Sequence, residues 1–209
     1  MSNITLHEYW RSSSSYRVRI ALNLKNVVYQ SRQINLLEQE QKAPEYLAHN
    51  PQGLVPMLSI DGHNLTQSVA IIDYLDHKFP EPPLFPGDPL DRARAMAQLM
   101  VIVAEIQPIN NLGVGNYLKS DFGADGKDVV KWMHHWMAEG FAALEQMAPD
   151  TGLFGGENPN VVDVCLVPQF YNARRFEADL SPFPKLVRID AACRELEAFQ
   201  KAAPEAVKE

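Results

Sequence analysis

The sequence predicts an α/β domain followed by an all-helical (all-α) domain, and three observations support that prediction. In the first 80 residues, short strand-like apolar patterns alternate with helical periodicity. Five of the 15 prolines then fall between Pro80 and Pro89, where neither a helix nor a central strand can continue. Beyond them nearly every segment has helical spacing. We therefore expect domains at 1–82 and 90–209, joined by a proline-rich linker at 83–89.

The first domain is predicted to have the order βαβαββα. Strands are expected at Ile4–Tyr9, Val28–Ile34, Val55–Ile60 and near Leu65, and helices at about 13–25, Pro44–Ala48 and Ser68–Phe79. A βαβ unit requires a parallel strand pair, whereas the Asp61-Gly62 turn makes the last two strands antiparallel. Pro56 interrupts the third strand, and its spacing alone favours the ordinary trans bond.

The second domain is predicted to consist of helices. They are expected at about 90–118 with a kink or break at Pro108, at about 126–147, after Asn160, and at Leu186–Ala202. Asp88-Pro89 has the pattern of a helix start, and Asn160 with Asp163 resembles a capping box. Trp132 and Trp136 are expected in the core, and Cys165 is expected to be a buried small hydrophobe because it lies in an apolar run.

Composition excludes several classes of function. The net charge is −7 and no basic run is present, which disfavours a nucleic-acid partner. Two cysteines support neither a disulfide framework nor a cysteine-rich zinc site, and the spacing of the six histidines gives no metal site. No apolar run approaches the ~18 residues of a membrane span, and the first residues lack a signal-peptide pattern. We expect a cytoplasmic protein without membrane or metal.

The segment from Arg11 to Leu22 is the sharpest local signal. Four consecutive serines follow a strand and open a helix, so hydroxyls and backbone amides meet at a positive helix end. Such a site stabilises an anion, and a hydroxyl that donates to a thiolate lowers the pKa of the thiol. The alternative is that the serines only cap the helix. Arg17 and Arg19 could likewise be solvated charges on that helix.

Gln67-Ser68, at the start of the helix after the fourth strand, is the second signal. Its amide and hydroxyl donors suit a carboxylate, although plain capping is the alternative. The sequence contains no Gly-x-Ser-x-Gly elbow and no glycine-rich phosphate loop, so neither a serine hydrolase nor a nucleotide site is indicated.

These motifs resemble the glutathione transferase superfamily and, within it, the zeta class, which includes maleylacetoacetate isomerases. The similarity covers nearly the whole chain. The matching segments are Tyr9-Trp-Arg-Ser-Ser, Tyr16–Leu22, Asn50-Pro, Val55-Pro56, Gln67-Ser, Ala70-Ile-Ile, Ile106-Gln-Pro, Val167-Pro-Gln169, Arg175-Phe, Asp179–Pro184 and Glu197–Gln200. The resemblance implies a thioredoxin-like N-terminal domain before the helical one, a glutathione cofactor and a homodimer.

The resemblance also implies the role of each site residue. Ser12 activates the glutathione thiol, with Ser13 and Ser14 beside it. Glutathione is held by Ser12, Arg17, Gln41, Val55 before a cis Pro56, Gln67, Ser68, Gln107 and Asn111. Arg11 and Arg175 bind the carboxylates of a small unsaturated oxo diacid, a task that suits the guanidinium fork. The implied reaction is glutathione-dependent cis–trans isomerisation of maleylacetoacetate to fumarylacetoacetate, a step of aromatic amino-acid and aromatic ring catabolism.

The chain departs from the zeta pattern at one position, where Ser14 stands in place of the usual cysteine. This puts substrate preference and side activities in doubt. Maleylpyruvate isomerase is the alternative enzyme, although the Asn110-Asn-Leu-Gly113 segment lacks the arginine expected of those relatives. A general zeta-class transferase, one acting on halogenated acids, and a non-catalytic glutathione-fold module also remain open.

Overall fold

The structure of the protein is a computed structural model that describes residues 4–208. The chain divides into two compact units. Of the described residues, the first unit contains 4–84 together with 195–208, and the second contains Phe85–Arg194. The described part of the first unit holds a four-stranded mixed sheet with helices, and the named elements of the second unit are all helical. This confirms the predicted fold class, an α/β domain followed by helices.

The predicted order βαβαββα is confirmed in the first unit. Its strands are β1 (Thr5–Glu8), β2 (Gln30–Gln33), β3 (Met57–Ile60) and β4 (His63–Thr66). Its first three helices are α1 (Ser13–Leu24), α2 (Pro44–Leu47) and α3 (Ser68–Lys78), with a short 3-10 turn at Glu40–Lys42. The boundaries agree with the sequence pattern to within two residues, which is the usual uncertainty at the ends of elements.

The sheet has the strand order β2-β1-β3-β4, with β1 parallel to β2 and antiparallel to β3. Met57 of β3 pairs with His7 of β1 and with Thr66 of β4. In this register the residues that follow β1, precede β3 and follow β4 lie at the same end of the sheet. These are the segments that contain Ser12, Val55 and Gln67, so the sheet brings three predicted site segments together.

Helix α1 is anchored to the sheet by a buried ion pair. The Arg19 guanidinium donates to the carboxylate of Glu8 on β1, and both side chains are fully buried. Arg17 is also buried, with 1% of its surface exposed. The interpretation of Arg17 and Arg19 as solvated charges is therefore wrong, because their face of α1 is turned toward the protein and not toward water.

The C-terminal helices α9 (Glu197–Ala202) and α10 (Pro204–Val207) belong to the first unit. Side chains of α1 donate to three carbonyl groups of α9. The contacts run from Tyr16 Oη to Phe199 O (3.5 Å), from Arg19 Nε to Ala202 O (2.8 Å) and from Asn23 Nδ2 to Ala198 O (3.0 Å). These contacts hold the end of the described chain against α1.

The single helix predicted at Leu186–Ala202 is wrong. Helix α8 (Pro184–Arg194) ends before Glu195, and α9 starts after Leu196, whose backbone is extended (φ −79°, ψ 132°). The local sequence has no glycine or proline at this point. The break instead coincides with the change from one compact unit to the other.

The second unit consists of α4 (Pro89–Met100), α5 (Leu112–Phe122), α6 (Gly126–Met147), α7 (Val161–Arg175) and α8. The helix predicted over 90–118 is interrupted, as expected near Pro108. It passes through a π-helical turn at Val101–Ile106 and a 3-10 turn at Pro108–Asn110. Asp88 caps α4 as predicted, since its carboxylate accepts from the first-turn amides. In the described residues no helix combines the length and apolarity that crossing a membrane requires.

The residues of α6 that face the core lie one position after the predicted ones, Trp132 and Trp136. Trp132 and Trp136 are only half-buried. Trp132 Nε1 donates to Ile109 O at 2.8 Å, which ties α6 to the turn after Pro108. The fully packed positions of α6 are Val129, Met133, Met137, Phe141 and Leu144. The tryptophans flank the core, and there the indole N–H of Trp132 reaches a polar partner, whereas Trp136 Nε1 is buried without an acceptor among the described residues.

Helix α7 begins with the predicted capping box. The Asn160 side chain accepts from Val162 N and Asp163 N, and the carboxylate of Asp163 accepts from Asn160 N. Asp163 is fully buried and also accepts from Phe154 N and Gly155 N, both at 3.0 Å. Burial raises the pKa of this carboxyl to about 6 although these amides oppose the shift. Cys165, two residues further along α7, is buried as predicted.

Asp163→Ala should lower the free energy of unfolding by about 3–5 kcal/mol, because the amides of Phe154, Gly155 and Asn160 lose the buried carboxylate that accepts from them. Asp128→Ala is the matched control, since Asp128 occupies the same capping-box position in α6 but is exposed. We expect that control to cost about 1 kcal/mol or less. Urea denaturation of both variants makes the comparison, and equal losses would contradict the role given to burial.

Candidate active site

Ser12 caps helix α1 and keeps a hydroxyl proton available. Its backbone is extended (φ −69°, ψ 123°), and its Oγ accepts from Ser15 N at 3.2 Å. That bond uses a lone pair of the oxygen, so the hydroxyl proton can still be donated to an outside acceptor. Capping and anion binding are thus compatible roles of the same side chain.

Ser13 and Ser14 are the first two residues of α1, and both are half-buried. Amides in the first turn of a helix have no acceptor within the helix, and the helix dipole makes this end positive. Together with the Ser12 hydroxyl they form a site that stabilises a negative charge. Ser14 occupies the position at which the resemblance leads us to expect a cysteine.

The start of α3 forms a second group of donors at the same end of the sheet. Gln67 has φ 69° and ψ 115°, a conformation that costs a non-glycine residue about 1–3 kcal/mol. Its side chain makes no capping bond to the helix, so capping alone does not explain this residue. Its Nε2 donates instead to Gln52 Oε1 at 2.8 Å. Strain of this kind is frequent where a backbone has to face a ligand.

Arg17 of α1 connects that helix to the start of α3. Its Nη1 lies 3.4 Å from Ser68 Oγ, and both residues are buried. Because the Ser68 oxygen accepts from a cation, its own proton remains available for a carboxylate. Arg17 was predicted to hold the ligand, and the structure shows that it is buried and contacts Ser68, the neighbouring predicted site residue.

The Val55–Pro56 bond is cis, as the resemblance implies and contrary to the expectation from spacing alone. The carbonyl oxygen before it, Leu54 O, accepts from Tyr46 Oη and Asn50 Nδ2, both at 2.7 Å. These two bonds fix the backbone that leads into Val55. The sequence analysis assigned no role to Tyr46 or Asn50. The Asn50-Pro pair, one of the segments that match the zeta class, was the sequence feature that could have pointed to this position.

Gln41 lies in the 3-10 turn that precedes α2, and its Oε1 is buried without a donor among the described residues. Gly53 explains why this turn can approach the loop before Val55. A Cβ at Gly53 would lie 2.8 Å from both Gln41 O and Lys42 Nζ, and its φ of +59° favours glycine.

Arg11 is half-buried in the segment between β1 and α1. Its Cζ lies 5.1 Å from the centre of the Trp10 ring, within the range of a cation–π contact. The Arg11 guanidinium therefore lies against an aromatic ring, and Arg11 directly precedes Ser12 in the sequence.

Three predicted site residues belong to the second unit. Asn111 caps α5, because its Oδ1 accepts from Val114 N at 3.0 Å and its Nδ2 donates to Pro108 O at 2.6 Å. Gln107 directly follows the π-helical turn and is half-buried. Arg175 is the last residue of α7, is exposed, and lies with its Cζ 4.7 Å from the centre of the Phe176 ring.

His7 and Ser59 form a serine–histidine contact, with His7 Nε2 3.1 Å from Ser59 Oγ. Ser59 Oγ donates to Asn64 Oδ1 at 2.7 Å, so it accepts from His7 and is not an activated nucleophile. Burial, together with Arg32 and His49, lowers the pKa of His7. Within residues 4–208 no group of three or more potential metal ligands is found.

Comparison with known proteins gives the family context for these features. Residues 6–83 match the family model described as "Glutathione S-transferase, N-terminal domain". The maleylacetoacetate isomerase of Rhizobium meliloti (strain 1021) is 48% identical over 212 residues, which cover 100% of both chains.

Solved structures give the same picture. The holo structure of a maleyl pyruvate isomerase, described as a bacterial zeta-class glutathione S-transferase, superposes with a TM-score of 0.95 at 41% identity and covers 98% of this chain and 99% of its own. Maleylacetoacetate isomerase from Anaeromyxobacter dehalogenans 2CP-1, with glutathione in its active site, has a TM-score of 0.89 at 40% identity. The match covers 100% of this chain and 98% of that one.

Proposed function

The chain belongs to the zeta-class glutathione transferase and maleylacetoacetate isomerase family, and on that premise we propose that it is a glutathione-dependent cis–trans isomerase. Its substrate in this proposal is maleylacetoacetate, and its product is fumarylacetoacetate. The observation that carries the proposal is the Ser12 hydroxyl at the start of α1, with its proton free to be donated beside Arg11.

The residues of the first unit fit glutathione on their own geometry. A tripeptide with a thiol and free carboxylates needs a donor for sulfur and a separate donor group for a carboxylate. Ser12 meets the first need, and Ser68 with the strained Gln67 backbone meets the second. We assign Val55 to the backbone of the tripeptide and Gln41 to its glycyl end, with Arg17 acting through Ser68.

When bound, glutathione supplies a thiolate that adds reversibly to the double bond, so that this bond can rotate. The chain supplies the electrostatics. Ser12 donates to the sulfur and stabilises its negative charge, and the first-turn amides at Ser13 and Ser14 add positive potential. From the family resemblance, we assign Arg11 and Arg175 to the carboxylates of the diacid, and Gln107 and Asn111 to glutathione.

The protein's own cysteines support the assignment of the thiol to glutathione. Cys165 and Cys193 are both buried, and burial raises the pKa of the Cys193 thiol above its ordinary value. Ser14 replaces the cysteine expected beside the site. No cysteine of the chain therefore offers an accessible thiolate, and a nucleophile has to come from a bound molecule.

The remaining parts of the proposal follow from the family resemblance. We propose a homodimer in the cytoplasm, with residues 1–82 binding glutathione and residues 90–209 contributing to the substrate site. The runner-up substrate is maleylpyruvate, since a relative of that name is as similar in fold. The absence of an arginine after Asn110-Asn111 favours the larger oxo diacid.

The direct test is to supply maleylacetoacetate and maleylpyruvate separately, with and without glutathione, and to follow the geometry of the product by NMR. We expect glutathione-dependent formation of the trans product, with the higher kcat/KM for maleylacetoacetate. A large preference for maleylpyruvate would overturn the choice of substrate. Binding to immobilised glutathione with no turnover of either acid would instead favour a non-catalytic module.

Ser12→Ala should raise the pKa of the bound thiol and shift the pH profile of kcat to higher pH, with a loss of about 10²-fold at neutral pH. Ser12→Thr is the control, because it keeps both the cap and the hydroxyl, and it should recover most of the rate. An unchanged rate for Ser12→Ala at neutral pH would show that another donor dominates.

Gln67→Gly should weaken glutathione binding about tenfold, because the pre-set backbone and side chain at the start of α3 are both lost. Asn26→Gly is the matched control. Asn26 also has a positive φ (54°), but it lies in the turn after α1. Calorimetric titration with glutathione compares the two variants, and equal affinities would remove Gln67 from the site.

A further inference from the structure

The backbone of Trp10 is held from both sides at the entrance to α1. Trp10 N donates to Gln33 Oε1 on β2 at 3.0 Å, and Trp10 O accepts from Arg19 Nη2 at 3.0 Å. Arg19 is itself buried and paired with Glu8. The backbone from which the indole extends is therefore fixed by the core of the first unit and not by the surface loop alone.

Two cations contact the ring of Trp10. Arg11 Cζ lies 5.1 Å from the ring centre, and Lys208 Nζ lies 5.0 Å from it. The two charges are therefore at most about 10 Å apart, which is comparable with the Debye length in physiological salt. At this separation they repel each other weakly, and each adds to the positive potential around the ring.

Lys208 reaches this ring because the C-terminal segment is tied to α1. It follows α10, and α9 before it accepts hydrogen bonds from Arg19 and Asn23. The segment that carries Lys208 is thus anchored to the same helix that begins at Ser12. A cation distant in sequence is thus placed against Trp10, two residues before the proposed thiol donor Ser12.

We infer that Trp10 is a positioning residue for Arg11, and that Lys208 adds a second positive charge at the end of the site that receives a substrate carboxylate. The inference rests on the proposed function for the identity of the substrate, an unsaturated oxo diacid. Trp10 restricts the guanidinium to one side of the ring, so that less freedom is lost when a carboxylate binds. Lys208 strengthens the local positive potential as a point charge.

The test for Lys208 uses two variants with the same change of charge. Lys208→Gln removes the cation at the ring, and Lys201→Gln removes one from α9 that is exposed and paired with Glu197. We expect Lys208→Gln to raise KM for the diacid about two- to fivefold at low salt, while kcat and KM for glutathione stay the same. The effect should fade as salt is raised. Equal KM values for the two variants would overturn the role of Lys208.

The test for Trp10 compares an aliphatic with an aromatic replacement. Trp10→Leu should raise KM for the diacid about five- to tenfold, and Trp10→Phe should recover much of that loss because it keeps a ring face. If kcat and both KM values changed together in Trp10→Leu, and Trp10→Phe gave no recovery, Trp10 would be only structural.

A binding measurement separates this inference from the proposed reaction. Succinate, a saturated dicarboxylate, is titrated calorimetrically into the glutathione-loaded wild type, Lys208→Gln, Lys201→Gln and Trp10→Leu proteins. Weaker succinate binding only in Lys208→Gln and Trp10→Leu supports the inference even if the wild type turns over neither maleyl acid. Unchanged succinate binding in both variants overturns it even if the wild type is an active isomerase.

Discussion

The buried ion pair between Glu8 and Arg19 is the interaction on which the first unit depends. Glu8 also accepts from Ser31 Oγ of β2 at 2.8 Å, and Arg19 also donates to Trp10 O and Ala202 O. One salt bridge therefore joins β1, β2, α1, the segment before Ser12 and the C-terminal helix. Removal of one partner of such a pair leaves an uncompensated buried charge, at a cost of about 3–5 kcal/mol. Burial and the nearby Glu8 charge raise the pKa of Tyr29 to about 12, because this region is shielded from water.

Three arginines near α1 have three different tasks, which are decided by burial. Arg19 is fully buried and structural, whereas Arg17 is buried beneath Ser68 and supports the start of α3. Arg11 is partly exposed and rests on Trp10. The guanidinium group thus forms a structural ion pair in Arg19, supports a hydroxyl donor in Arg17, and is a proposed carboxylate ligand in Arg11. Residue type gives the chemical capacity, and the depth of burial selects how it is used.

The proposed chemistry requires little machinery beyond this frame. Two helix starts lie at one end of a small sheet, and the first turn of each has amide donors without an acceptor in the helix, which favours a negative group. In the proposed site, one helix start receives the sulfur of the tripeptide and the other receives one of its carboxylates. Strain at Gln67 and the paired donors on Leu54 O indicate that the backbone is arranged before a ligand arrives.

The sequence by itself determined the order of elements in the first unit, the capped starts of α4 and α7, and the break near Pro108, because periodicity, capping residues and proline act locally. It also indicated the serines and Gln67-Ser68 as donor groups, since helix starts can be read from nearby residues. Only the tertiary structure decided that Arg17 and Arg19 are buried, that the last helix breaks at Glu195-Leu196, and that the tryptophans of α6 flank the core. Each of these depends on contacts between residues far apart in the chain, such as Arg19 with Ala202 and Trp132 with Ile109. A sequence pattern records the local preferences of a residue, whereas burial and long-range hydrogen bonds depend on which distant segment packs against it.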